Sequence, residues 1–369
     1  MSDLASAQLL TASAAQLPVY TYFDPAYYEL EQQLLFADAP QYFGHALMTP
    51  NVGDYHTLEW MGHGKMLKRN EDGIQLLSNV CRHRQALMLK GRGNTEHIVC
   101  NIHGWTYNNQ GKLIGAPHFH QQPCLDLGQT QLTEWNGLLF DARRDIAADL
   151  ARLGVAKHMT FDGYAYHETV ITEYNFNWKT FIEVYSEDYH VDPFHPGLGN
   201  FVNCGELKWE WGEQYHVQTV GVKNALARSG SKVYSEWHQQ VLRRYAEKQP
   251  EFGAIWLTYY PNIMVEWYPH VLVVSVAVPK GPEKTTVITE FYYPEDIVWF
   301  EPEFIQAEQA AYFETAVEDD EICYRMHEGR KALWLRGESE VGPYQSPTED
   351  GMQHFHEFYR RKMGEALRG

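Results

Sequence analysis

The order of apolar and polar positions predicts a helix and then a strand-rich region in the first part of the chain. Asp24 is a typical N-cap residue and Pro25 a typical first residue of a helix. Apolar residues follow at helical spacing to about residue 37. From Gln41 to about Asp141 the pattern changes to short apolar runs separated by Gly, Asn and Asp. These runs include His56–Trp60, Gly73–Ser78 and His97–Cys100. This pattern is typical of a small antiparallel β-domain.

The second part of the chain mixes helical and strand patterns. A helical segment after Arg144 leads to Val155, and strands surround a helix near Asn177–Tyr189. Strand patterns continue through Tyr293 and are followed by a long helix from about Pro302 to Leu333. An antiparallel sheet with helices packed on one face would bury these elements, so we predict an α+β fold.

The length agrees with two folded domains. At about 150 residues per domain, 369 residues suffice for two. We place the limits at an amino-terminal helical extension that packs on the second domain, a β-domain and a larger domain: 1–40, 41–150 and 151–369.

The charge and hydropathy exclude several classes of partner. Lys and Arg number 30 against 48 Asp and Glu, and the formal charge of -18 would repel nucleic acid and anionic membranes. The apolar run Val271–Val278 is far shorter than the roughly 20 residues of a membrane-spanning helix. The amino-terminal residues lack the basic start and apolar core of a secretory signal, so we expect a cytoplasmic protein.

The densest group of potential metal ligands is Cys81, His83, Cys100 and His103. It contains two Cys/His pairs within 23 positions, which suits a [2Fe-2S] cluster with two thiolates on one iron and two imidazoles on the other. A structural zinc site accepts the same ligands, although the single residue between Cys81 and His83 is shorter than usual for zinc. Unconnected core residues are the third alternative.

The other three cysteines have no potential ligands near them in the sequence. We expect each to be a small buried apolar residue. They are Cys124, Cys204 and Cys323.

A second group of potential ligands surrounds His190 and His195. Pro193 lies between them, so they cannot share one uninterrupted helix, but a helix end followed by a turn would bring them together. Two histidines and one carboxylate on Fe(II) leave positions for dioxygen. On spacing alone, the alternative is that these are ordinary surface or core histidines.

A carboxylate to complete this set would come from the long helix, where Glu318, Asp319 and Asp320 are adjacent. Three consecutive helical residues point in different directions, so only one can face a metal ion. We expect at least one of the others to lie on a solvated helix face. The residue types alone leave the choice open.

Both groups closely resemble the Rieske non-haem iron oxygenases. The likeness to their Rieske domain covers nearly the whole first domain, in the segments Asn79–Arg84, Gly91–Asn94, Cys100–Tyr107, Gly111–Leu113 and Gly115–Pro117. The region from Asn177 to Pro196 is similar to the iron-site helix of their catalytic domain. The resemblance implies a small antiparallel Rieske domain and a larger helix-grip (START-like) catalytic domain with an antiparallel sheet.

The resemblance also implies roles for the residues of the first group. Cys81 and Cys100 would bind one iron of the cluster, and His83 and His103 the other. Gln85 departs from the family pattern, which usually has glycine after its His-Arg pair, so the local turn is expected to differ.

For the second group, the resemblance implies iron ligation by His190 and His195. The family's aspartate ligand lies eight residues before a position that corresponds to His327, which selects Asp319 over Asp320.

Glu187 occupies the family's bridging position, three residues before His190. By the resemblance, it links the iron site to a Rieske histidine of the neighbouring subunit. Glutamate at this position resembles the pattern of relatives that oxidise quaternary ammonium compounds. The alternative is that Glu187 only orients a ligating histidine, and Asp188 could share either role.

The resemblance thus implies a terminal oxygenase component that hydroxylates or demethylates a small organic molecule with O2. Its cofactors would be a Rieske [2Fe-2S] cluster and mononuclear Fe(II), with electrons from NAD(P)H through a separate reductase and sometimes a ferredoxin. A homotrimer is expected. We predict a quaternary amine as substrate, with an aromatic acid as the alternative for mono- or dioxygenation. A Rieske-type electron carrier or a zinc-stabilised binding protein is the rival from another class.

Aromatic residues near Trp256 and Tyr268 fit this substrate, because a cation can bind over aromatic faces. Packing in the core of a sheet is the more common use of such residues, and it is the one we favour.

Overall fold

The computed structural model describes residues 15–223, 229–246, 248 and 250–368. The chain forms two compact units. One is Pro40–Ala148, and the other contains the described residues up to Ala39 together with those from Asp149 onward. No helix among the described residues is both long and apolar enough to cross a membrane.

The smaller unit consists of short antiparallel strands. They form a five-stranded sheet in the order β5-β2-β3-β4-β9 and two three-stranded sheets, β1-β11-β10 and β6-β7-β8. The strands are β1 (Tyr42–His45), β2 (Asp54–Thr57), β3 (Lys65–Asn70), β4 (Gly73–Ser78), β5 (Arg92–Asn94), β6 (His97–Val99), β7 (Thr106–Asn108), β8 (Leu113–Gly115), β9 (Gln129–Thr130), β10 (Leu132–Trp135) and β11 (Leu138–Asp141). The run predicted over His56–Trp60 ends as a strand at Thr57, because Glu59–Met61 form a 3-10 turn.

The larger unit contains a seven-stranded antiparallel sheet in the order β12-β18-β17-β16-β15-β14-β13. Its strands are β12 (Tyr164–Tyr174), β13 (Val202–Trp211), β14 (Tyr215–Val222), β15 (Ala254–Tyr259), β16 (Ile263–Tyr268), β17 (Val271–Gly281) and β18 (Lys284–Pro294). Strands β14 to β18 pair in chain order, which reflects short hairpin connections between most of them.

The helices are α1 (Tyr20–Phe23), α2 (Pro25–Glu31), α3 (Ile146–Asp149), α4 (Trp178–Tyr185), α5 (Val191–Phe194), α6 (Lys232–Arg244), α7 (Glu295–Phe300), α8 (Pro302–Arg336) and α9 (Asp350–Met363). The predicted amino-terminal helix starts at Pro25 and continues beyond α2 as a π-helical turn over Gln32–Phe36. Further 3-10 turns are Ala46–Met48, Ala156–His158, Leu198–Asn200 and Gly364–Arg368.

Helix α8 is the long helix that the sequence predicted. It begins with Pro302 at its first position and ends before Gly337, whose left-handed backbone caps it. Phe304 and Ile305 pack against Val273 and Phe291 of the sheet. Helix packing on an antiparallel sheet confirms the predicted α+β class.

A buried ion network joins α2, α4, α8 and α9. Lys179 pairs with Glu31 at 2.5 Å, and Arg330 of α8 pairs with Glu183 of α4 at 2.7 Å. His356 of α9 lies 2.9 Å from Glu183. Burial alone would raise the pKa of Glu183, but Arg330 and His356 lower it to about 2. The network fixes α8 relative to α4, the helix that precedes the histidines.

The remaining cysteines differ from the expectation in one case. Cys323 is buried and Cys204 is half-buried, whereas Cys124 is exposed. Cys124 lies in the irregular chain between β8 and β9, where no sheet or helix covers it. The prediction of a buried thiol was therefore wrong at this position.

Candidate metal centres

The end of α4 brings His190 and His195 together. Asn177 caps the start of this helix by accepting from the Lys179 amide at 3.0 Å, and the helix ends at Tyr185. After the break, the single turn of α5 lies between the two histidines. Their ring centroids are 5.0 Å apart. The two histidines do converge, but the predicted helix ends earlier, at Tyr185, and the chain between the histidines is a short helix that contains Pro193.

Asp319 of α8 lies opposite both histidines. Its Oδ1 atom is 3.0 Å from Nε2 of His195 and 3.3 Å from Nε2 of His190. One ligand atom from each of the three residues lies within 4.8 Å of the others. Two imidazoles and one carboxylate around a common point form the facial set that suits non-haem Fe(II). The donor set therefore fits a mononuclear iron.

Each histidine has a glutamate on its other ring nitrogen. Nδ1 of His190 contacts Glu187, and Nδ1 of His195 lies 2.7 Å from Glu318. These contacts hold the rings with Nε2 toward Asp319. Burial lowers the pKa of His190, but the carboxylates of Asp319 and Glu187 outweigh it and raise the pKa to about 10. The site is thus arranged to accept positive charge.

The three adjacent acids of α8 point in three directions, as expected. Asp319 faces the histidine Nε2 atoms and Glu318 contacts His195. Asp320 lies beside Tyr174, and burial raises its pKa to about 6. Asp319 is buried, whereas Glu318 and Asp320 are half-buried and keep partial access to solvent.

Asp188 differs from its neighbour Glu187. It is buried, and burial raises its pKa to about 7. The cavity next to the metal site is lined by Glu187 and not by Asp188.

The metal site opens on a cavity lined largely by aromatic residues. Trp256 and Tyr268 line it, so these strand residues do more than fill the core, which was the use we favoured from sequence. Four further aromatic residues line the same space: Tyr185, Tyr234, Trp237 and Tyr312. Sequence reasoning missed the polar residues Gln218 and Glu308 of this wall. The one available signal was helical spacing, because Glu308 shares a face of α8 with Asp319.

In the smaller unit, the two Cys/His pairs lie on loops with the same hydrogen-bond pattern. The amide of Cys81 donates to Ala86, and that of Gln85 donates back to Cys81. In the same way, the amide of Cys100 donates to Trp105, and that of Gly104 donates back to Cys100. Gln85 and Gly104 have left-handed φ values of 54° and 70°. Gln85 therefore adopts a left-handed backbone that glycine would favour, in a loop that repeats the hydrogen bonds of the Cys100 loop.

These loops fit an iron-sulfur cluster. Cys81 and Cys100 are buried, and the rings of His83 and His103 are 4.6 Å apart. Nδ1 of His83 is buried with no hydrogen-bond partner in the described part of the chain. Trp105 stacks on His83 with ring centroids 5.0 Å apart. Two buried thiols and an imidazole nitrogen without a partner are what a Cys2His2 cluster requires.

Known protein families match both units. The family described as Rieske [2Fe-2S] domain matches residues 45–127. The family described as ring hydroxylating alpha subunit (catalytic domain) matches residues 161–365.

Individual proteins are similar over nearly the whole chain. A putrescine 2-hydroxylase of Ralstonia nicotianae is 59% identical, over 98% of this chain and 100% of that protein. A putrescine 2-hydroxylase of Bordetella bronchiseptica is 51% identical, over 99% of this chain and 88% of that protein. Among solved structures, a quaternary ammonium Rieske monooxygenase aligns with a TM-score of 0.74 and 18% identity, over 96% of each chain.

These similarities decide between the functional classes. A catalytic-domain match over most of the larger unit excludes an electron carrier that has only a Rieske domain, and it excludes a zinc-stabilised binding protein. The cofactors are a [2Fe-2S] cluster and a mononuclear iron, to which electrons pass from a separate reductase through the cluster. The protein is an oxidoreductase that hydroxylates a small organic substrate with O2. This chain belongs to the Rieske non-haem iron oxygenases.

Proposed function

We propose that this chain is a monooxygenase of a small aliphatic amine and that putrescine, a four-carbon diamine, is its substrate. The main support is the cavity beside His190, His195 and Asp319. Its walls are largely aromatic and also contain the buried carboxylate of Glu308. Aromatic faces and a carboxylate both attract an ammonium group. The names of the two relatives above 50% identity support the diamine.

We assign the metal ligands as follows. His190, His195 and Asp319 bind the iron, which their convergence supports. Cys81 and Cys100 bind one iron of the cluster and His83 and His103 the other, which the matched loops support. Glu187 bridges to the cluster of a neighbouring subunit in a homotrimer, and its contact with Nδ1 of His190 supports that role. For Asp188 we propose no direct role in the reaction, only stabilisation of the loop that carries Glu187.

In the proposed reaction, one atom of O2 enters a C–H bond and the other leaves as water, using two electrons from the reductase and two protons. The bound metals supply the oxygen and redox chemistry. The residues of the chain bind and orient the amine. Apolar residues of the cavity, among them Val184, Leu198 and Ala311, exclude water from the site.

A quaternary amine is the second candidate, because the aromatic walls favour any organic cation. Such a cation has no N–H group to donate to Glu308. The buried carboxylate therefore favours a primary amine. An aromatic acid is the weakest candidate, because no Lys or Arg is among the described residues that line the cavity and could pair with its carboxylate.

The test is coupled turnover. The iron-loaded protein, a reductase and NADH are supplied with putrescine, carnitine or benzoate, while O2 consumption and products are measured. We expect O2 consumption matched by a putrescine product that has gained one oxygen atom. Turnover of carnitine or benzoate without turnover of putrescine would contradict the proposal.

A further inference from the structure

We propose that Glu308 binds the far ammonium group of a diamine and so determines which carbon lies at the iron. This inference rests on the function proposed above. It makes Glu308 a specificity-determining residue at the end of the cavity remote from the metal ligands.

The first support is the placement of Glu308 on α8. The cavity is lined by one stripe of this helix, at the spacing of successive turns. The stripe consists of Glu308, Ala311, Tyr312, Thr315, Ala316 and Asp319. Glu308 and Asp319 are eleven residues apart, which corresponds to about 16 Å along a helix that rises 1.5 Å per residue. The small side chains of Ala311, Thr315 and Ala316 leave open space between the two carboxylates.

The second support is that Glu308 has no cation of its own. It is 2% exposed and accepts a hydrogen bond from the Tyr293 hydroxyl. No Lys, Arg or His in the parts of the chain that the structure describes pairs with it. Burial raises the pKa of Glu308 to about 8. A buried carboxylate is costly unless a positive group compensates it, and an ammonium in the cavity would do so.

The third support is a set of acceptors around the same space. The side-chain oxygen Oε1 of Gln218 is buried without a partner among the described residues. Tyr268 and Tyr312 donate their hydroxyl hydrogens to Glu266 at 2.8 and 3.2 Å. Glu266 does not line the cavity, so these hydrogens point away from it. The Tyr268 oxygen already accepts from Nε1 of Trp256 at 2.8 Å, which leaves the Tyr312 oxygen as the phenol acceptor. An ammonium group has three donors, which Gln218 and Tyr312 can accept. The same wall also contains a buried donor without a partner among the described residues, Nε1 of Trp237.

The fourth support is length. Single bonds of about 1.5 Å give an extended four-carbon diamine about 6 Å between its nitrogens. An ammonium–carboxylate contact adds about 3 Å. The helix rise of roughly 16 Å between Glu308 and Asp319 exceeds this length by about 7 Å, which leaves room for the two side chains and the metal. A diamine with one more methylene would present a different carbon at the iron.

The test is direct binding of diamines to the iron-loaded protein by calorimetry, together with the KM for putrescine. In the Glu308→Gln variant, which keeps the shape but not the charge, we expect binding to weaken about 10- to 100-fold, as for the loss of a charged hydrogen bond. Glu303→Gln is the matched control, because Glu303 is exposed on the same helix. It should bind putrescine as the unmodified protein does.

A second variant separates an anchor from a merely structural residue. Glu308→Asp withdraws the carboxylate by one methylene, so we expect preference to shift from the four-carbon to the five-carbon diamine. An equal loss for both diamines would overturn the anchor, as would unchanged putrescine binding in Glu308→Gln. If the unmodified protein binds no diamine, the proposed function and the anchor both fail. If it binds and hydroxylates putrescine while the variants behave like it, only the anchor fails.

Discussion

The cluster site and the iron site use the chain in opposite ways. The four proposed cluster ligands lie within 23 positions, on two loops whose backbones repeat the same hydrogen bonds. The proposed iron ligands come from two segments, and 124 residues separate His195 from Asp319. The first site depends mainly on local turns, and the second depends on how α8 packs against the end of α4. Substitutions at the two sites should therefore have separable effects.

The largest effect is expected from Asp319→Ala, which removes the only carboxylate proposed to bind the iron. Iron content should fall from about three to about two atoms per chain, and coupled turnover should be lost, while the visible absorption of the cluster is retained. Asp320→Ala is the matched control, because Asp320 lies beside Tyr174. Loss of one iron from Asp320→Ala, with retention in Asp319→Ala, would show that the ligand was assigned wrongly.

A smaller effect is expected at the glutamates that hold the histidine Nδ1 atoms. Glu318→Ala and Glu187→Ala should each weaken iron binding about 10- to 100-fold, which is typical of partners behind a metal ligand. Excess Fe(II) should restore turnover to Glu318→Ala but not to Glu187→Ala, if Glu187 also bridges subunits. Metal titration measures iron binding, and O2 uptake measures the restored turnover. Equal restoration of the two variants would argue against bridging by Glu187.

The smallest effect is expected in the cluster loops, where left-handed backbone is costly for residues other than glycine. Gln85→Gly should stabilise the smaller unit by about 0.5–1 kcal/mol, because glycine adopts this conformation without strain. Gly104→Ala should destabilise it by about 1 kcal/mol, since the nearest atom to an added Cβ is a tolerable 3.6 Å away and only the backbone is strained. Loss of cluster absorption in denaturant measures both. A destabilised Gln85→Gly variant would contradict this account.

The same contrast explains what the sequence could predict. The Cys/His pairs are local, so their spacing was sufficient to indicate the cluster. For His190 and His195, the spacing left ordinary histidines as an alternative, and their prediction as iron ligands came from the family resemblance. Glu318 could not be assigned, since its contact with His195 depends on the rotation of α8 within the fold.

The cavity was less predictable than either metal site. Gln218 and Glu308 face it because β14 and α8 pack on opposite sides of the same space, and neither lies in a motif. Trp256 and Tyr268 alternate along strands as ordinary core residues do, so the pattern could not show that they line a cavity. Cys124 is the opposite case. Its residue type suggested a buried position, but it lies in irregular chain and is exposed to solvent.

The shared stripe of α8 restricts how relatives of this enzyme could acquire substrates of other lengths. One residue inserted between Glu308 and Asp319 would rotate one carboxylate by about 100° relative to the other and remove it from the cavity. Inserting three or four residues would turn both carboxylates toward the cavity again, but it would separate them by a further 5 to 6 Å or so. Between such steps, only the side-chain length at position 308 is adjustable. Substrate length would then change during evolution in discrete jumps and not by gradual drift.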